Sequence, residues 1–168
     1  MFQRLAAFVI GVLTIALGGA AIGSMAVGNA YAIPDLCEGP VVTKQQAQAG
    51  VAGTVLGVRI LTQAKLIDKL GLPPEVDRLA GSTFKKISEF AKGNAKCLKL
   101  TKHESMAYML ATVRTLVMIR DSNLLEEYSK MFDSVFGQQS ESVIAAFGDF
   151  LKAFNSYLGI TPAESPSL

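Results

Sequence analysis

The chain has one histidine, His103, and only two cysteines, Cys37 and Cys97, and that scarcity closes several chemical routes at once. A zinc site needs three or four nitrogen and sulfur ligands drawn together, and neither cysteine has a second ligand at close spacing. No metal site and no cofactor are expected. Hydrolysis through an activated nucleophile needs a base and a group that orients it, and His103 is the single imidazole available as that base. It has neither a serine-elbow nor a reactive-cysteine context. A hydrolytic enzyme built on His103 and Glu104 therefore ranks last among the functional readings.

Other signatures are missing too. Gly50, Gly53 and Gly57 lie inside a helix-period pattern, with Lys44 ahead of them, so they do not form a phosphate-binding loop between strand and helix. Asp133-Ser134-Val135-Phe136 puts apolar side chains where a calcium loop requires oxygen ligands. No stretch alternates with a strand period, no internal repeat is evident, and no N-x-S/T glycosylation acceptor occurs. The lysines from Lys85 to Lys102 are interrupted by Glu89, with Glu104 following, and carry no interleaved aromatic platform, so they read as a solvated face and not a nucleic-acid surface.

Charge is also missing from Leu5 to Val27, an apolar run that follows Arg4 and precedes Ala30-Tyr31-Ala32, the small-any-small pattern cut by signal peptidase. Residues 1–32 read as a cleavable signal peptide, which leaves a single helical domain over 33–160 and a flexible tail over 161–168. The alternative is a membrane anchor at residues 5–27, since the run is long enough to span a bilayer core. Glycines at 11, 18, 19 and 23 and the polar Gly28-Asn29 step favour cleavage. The expected location is secreted or periplasmic, with membrane contact through an uncleaved leader as the alternative. Beyond the leader, fifteen basic and fourteen acidic residues leave the chain nearly neutral.

Export gives the two cysteines an oxidising setting, in which Cys37 and Cys97 are expected to pair. Closing a loop of about 60 residues should stabilise the fold by about 4 kcal/mol in the chain-entropy picture.

The fold class expected is all-α, a compact bundle of about five helices opening on a disulfide-stapled helical hairpin. Thr43-Lys44-Gln45-Gln46 fits a capping box, and the first helix is expected to run to Leu70, before Gly71 and Pro73-Pro74. Pro74 opens the second helix, which ends at Gly93-Asn94. Thr101 and Glu104 form another capping box for a third helix reaching Arg120. Its wheel gathers Met106, Met109, Leu110, Val113, Leu116 and Val117 on one broad face, expected to point into the core of a central helix. The opposite side carries His103, Ala107, Ala111 and Arg114. A fourth helix turns Leu124, Tyr128, Met131, Phe132, Val135 and Phe136 inward, and Ser140 is expected to cap a fifth, in which Val143, Phe147, Phe150, Phe154 and Tyr157 recur at helical spacing.

The first helix has no aromatic residue, whereas the last two are rich in them. Gly50, Gly53 and Gly57 therefore form a candidate helix-packing face for those rings. Arg114, set among apolar neighbours, needs an acceptor such as Asp121, Glu126, Asp133 or Asp149, and with His103 it is a candidate anion or partner site. Met106, Met109, Phe147, Phe150, Phe154 and Tyr157 are the candidate lining of an apolar-ligand cavity. The leading functional reading is an exported, non-catalytic binding protein with an unidentified protein partner. The alternative is a carrier of an apolar ligand such as a lipid.

Overall fold

The computed structural model describes residues 37–160. The leader and cleavage site read for residues 1–32 and the tail read for 161–168 lie outside these described residues. The described chain is helical and contains no strand. In order it forms α1 (Lys44–Gln63), a 3-10 turn (Ile67–Leu70), α2 (Pro74–Ala91), α3 (Lys102–Asp121), α4 (Leu125–Phe136), a second 3-10 turn (Gly137–Gln139) and α5 (Ser140–Leu158). Cys37, ahead of α1, is bonded to Cys97, behind α2, with their Cα atoms 6.2 Å apart. Paired cysteines suit a non-reducing compartment. None of the described helices is long and apolar enough to cross a membrane.

Local chemistry explains most of the boundaries. The Thr43 and Thr101 hydroxyls accept from the Gln46 and Glu104 backbone N–H groups, and each N3 side chain returns a bond to the cap, so both capping boxes are complete. Most helices end with a paired set of reversed hydrogen bonds around a left-handed residue. Gly93 serves α2, Asn123 serves α3 and Gly159 serves α5. Lys65, at φ +57°, does the same for α1, with Leu66 N–H donating to Leu61 C=O at 2.8 Å.

That turn corrects the expected first helix, which stops at Gln63 instead of reaching Leu70. The chain folds back there, and Leu70 drops into a cluster with Leu56, Leu61, Ile119, Tyr128 and Phe132. Ser140 is also corrected. It lies inside the first turn of α5 with its side chain buried, and Gln139 holds the cap position without a side-chain bond.

The core begins at α1, which packs on α2, α3, α4 and α5. A larger apolar cluster joins Phe84, Ile87 and Phe90 of α2 to Tyr108 of α3 and to Phe147, Phe150 and Phe154 of α5. The aromatic rings of α5 sit on the glycines of α1. A Cβ added to Gly53 would meet Phe147 ring carbons at 2.7–2.8 Å, and one on Gly57 would meet Thr115 Cγ2 at 3.0 Å. Small residues on α1 thus let two helices approach from different sides.

Candidate functional site

The orientation of α3 corrects the expectation that its whole broad apolar face points inward: Met109 is buried and Leu116 packs against both apolar clusters, but Met106, Leu110 and Val113 are exposed. Its buried residues are Ser105, Ala107, Tyr108, Met109, Ala111, Thr112, Thr115 and Ile119, most of them small or hydroxylated. These let α2 and α1 come close, and the helix backbone absorbs part of their polarity: Thr115 Oγ1 donates to Ala111 C=O at 2.9 Å. From α2, Thr83 Oγ1 donates to Leu79 C=O at 2.8 Å in the same contact layer.

With that side inward, three of the larger apolar side chains are left outside. Met106, Leu110 and Val113 are 48, 47 and 42% exposed, whereas Met109 is 5% exposed. Val117, half-buried, extends the row by one further turn. Steps of four, three and four residues place all four on one face of the helix. Lys102 and His103 stand at the beginning of this stripe, Arg114 beside it and Arg120 at its end, all exposed. The two acids of the helix are already engaged. Arg120 pairs with Asp121 at 2.9 Å, and Lys86 with Glu104 Oε1 at 2.6 Å.

Glu104 therefore works as a cap and an ion-pair partner. Its partial burial pushes the carboxyl up, but the Lys86 ammonium and the Thr101 N–H outweigh this and hold it below the usual carboxylate range. His103 is exposed and makes no hydrogen bond with Glu104 among the described residues, so the geometry assembles no acid–base pair. Arg114 is not the buried charge the sequence suggested. It lies at the surface, and its Nε donates to Leu70 C=O at 3.1 Å in place of a carboxylate. His103 and Arg114 share a side of α3 but stand three turns apart, about 16 Å along its axis.

The six residues read as a cavity lining separate as well. Phe147, Phe150 and Phe154 are core side chains, with Met109 among them, while Met106, about 60° further round α3, is exposed. Tyr157 is half-buried and donates to Leu100 C=O at 2.9 Å. A cleft between α1, α2 and α3 has a volume of about 30 Å³ and is lined by Gly53, Thr54, Phe84 and Thr112, and by Phe147 of α5, among others. That is room for one or two waters, and an acyl chain would require the helices to part.

At its edge Tyr108, which sequence reasoning did not single out, closes a buried polar chain. The Thr54 hydroxyl donates its only proton to Gly50 C=O at 2.9 Å, so the 2.6 Å contact with Tyr108 has the phenol as donor. Burial pushes the Tyr108 phenol up to about 12, against a smaller downward pull from Thr54. Tyr128 reaches the same helix, donating to Gly53 C=O at 2.8 Å, and burial raises its phenol too. Both tyrosines fall at helical positions beside other buried residues, which was the available signal. No group of three His, Cys, Asp or Glu side chains suited to a metal ion occurs among the described residues. No known protein family, curated protein or solved structure matches this chain.

Proposed function

We propose that the protein is an exported, non-catalytic interaction module that meets its partner through the outer face of α3. The observation that carries this reading is the exposed row of Met106, Leu110 and Val113 at the middle of that face, where a solvated helix would place charged residues. Contiguous exposed apolar side chains rimmed by polar ones mark contact surfaces. Export is supported by the Cys37–Cys97 pairing and by the leader pattern at residues 1–32. In this reading the chain is a five-helix bundle whose first two helices form a stapled hairpin, a stiff platform on which α3 is displayed.

The test is site-specific photocrosslinking from position 110 in the native compartment, with position 144 on α5 as the control. The expected result is a crosslinked product from position 110, with a protein or with a lipid, that Met106→Ser and Val113→Ser together abolish. An absence of any position-specific product would refute the reading. Leu110→Asp should also leave the folded state intact, because substitutions at exposed positions change stability by about 0.5 kcal/mol or less.

A further inference from the structure

We infer that the surface met by α3 is an anionic phospholipid bilayer, on which the helix lies in the plane of the headgroups with Met106, Leu110, Val113 and Val117 pressed into the acyl boundary. This rests on the reading that the outer face of α3 is the contact surface. Charge provides the first argument. Residues 85–121, to the end of α3, contain eight lysines and arginines against three acids, of which Asp121 pairs with Arg120, whereas residues 122–160 contain two against five acids. The apolar stripe lies within the positive part. A helix with a central apolar row and cationic edges has the form that binds anionic membrane surfaces, where apolar burial and headgroup attraction act together.

Shape also favours a bilayer. The stripe runs along a convex helix, and the described cleft opens elsewhere, between α1, α2 and α3. Protein partners gain most of their affinity from anchors seated in pockets. A ridge with cationic edges instead suits a surface that deforms around it. A second copy is disfavoured by the same charges. Packed antiparallel on the stripe it would set Lys102 beside Arg120 of its partner copy, and packed parallel it would set the Lys102 side chains of the two copies together.

Position favours it as well. Leu100 N–H donates to Glu38 C=O at 2.9 Å, so the chain at Cys37–Glu38 runs beside the segment leading directly into Lys102. The apolar run of the leader ends at Val27, ten residues before Cys37, a reach of at most about 35 Å. Where that run is retained in a membrane, the basic start of α3 is held close to the lipid. Where it has been removed, the stripe and its cations bind by themselves.

The chain has no tryptophan, so Leu110→Trp makes the outer face of α3 the sole source of indole fluorescence. In the chain as its host produces it, this variant should show a blue-shifted emission with phosphatidylglycerol/phosphatidylcholine vesicles, and quenching by lipids brominated in the upper acyl chain. Binding to pure phosphatidylcholine should be at least about tenfold weaker, and Lys102→Glu with Arg114→Glu should cause a comparable loss. Added salt should weaken the anionic binding. Ile144→Trp, on α5, should show no shift. Val113→Trp repeats the measurement should Leu110→Trp fail to give the circular dichroism of the parent.

A missing shift at both α3 positions, an equal shift at position 144, or binding indifferent to lipid charge overturns the membrane assignment. A shift that follows protein concentration alone would indicate a second copy, and a crosslink from position 110 to another protein would indicate a protein partner. Either result overturns the bilayer as occupant while leaving α3 as the contact face. Failure of both the vesicle measurement and the crosslink removes the face itself.

Discussion

Phe150 lies so close to Gly50 that a methyl group on the glycine would come within 2.6–2.7 Å of three of its ring carbons. In an exposed helix, replacing glycine by alanine stabilises by up to about 1 kcal/mol. Here overpacking dominates. Gly50→Ala is expected to lower stability by about 1–3 kcal/mol in urea denaturation, and Phe150→Leu in the same chain should relieve part of that loss. A more stable Gly50→Ala protein would show that the ring and the backbone are not in such close contact.

The facing of α3 can be tested by two methionines three residues apart. Met109 is buried among Phe147, Phe150 and Phe154, so Met109→Ala should cost about 2–5 kcal/mol. Met106→Ala should change stability by about 0.5 kcal/mol or less, because its side chain is exposed. Equal losses at the two positions would restore the inward stripe expected from the wheel.

Reduction of Cys37–Cys97 releases a loop with a sequence separation of 60. The chain-entropy relation gives a loss of about 4 kcal/mol, so thermal scans with and without a phosphine reductant should show a large drop in Tm. Cys37→Ser with Cys97→Ser should reproduce it. A drop of less than about 1 kcal/mol would mean that the unfolded chain already keeps these ends together.

Alkaline pH should act through Tyr108. Its phenol, ordinarily near 10, is raised to about 12 by burial, so the native state retains a proton that the unfolded chain has begun to lose. This stabilisation is complete below pH 10 and is lost as pH rises from 10 to 12, by roughly 3 kcal/mol in total. Denaturation between pH 9 and 11.5 should show the decline, and Tyr108→Phe should flatten it. Tyr128 adds a slope of the same sign, so a flat wild-type profile would contradict the burial of both rings.

Helix starts were legible because Thr43 with Gln46 and Thr101 with Glu104 announce their hydrogen bonds in the residue types themselves. Three of the stops were marked by Gly93, Asn123 and Gly159, residues that tolerate the left-handed turn. Lys65 makes the same turn without such a mark, so the sequence pattern of α1 runs on past Gln63 with nothing to stop it before Gly71. The facing of α3 was hidden for a different reason. A wheel reports which side chains share a side, and tertiary packing decides which side goes in. Ala107, Ala111 and Thr115 won that place because their small size admits neighbouring helices, and hydroxyls such as that of Thr115 can be satisfied by their own helix. The pairing of the glycines with particular rings depends on contacts between residues about one hundred apart in the chain, so helical spacing could suggest the face but not its register.

Leu100 receives three constraints within a few residues: its N–H holds Glu38, its carbonyl holds Tyr157, and Cys97 close by holds Cys37. Under tension this gives the molecule a short circuit. Traction applied at Cys37 and resisted at Tyr157 would travel through one covalent bond and a few residues of linker, bypassing the aromatic core. The first element to yield would be the Tyr157 hydrogen bond, with α5 peeling from its end while the clamp around Cys97 stayed shut.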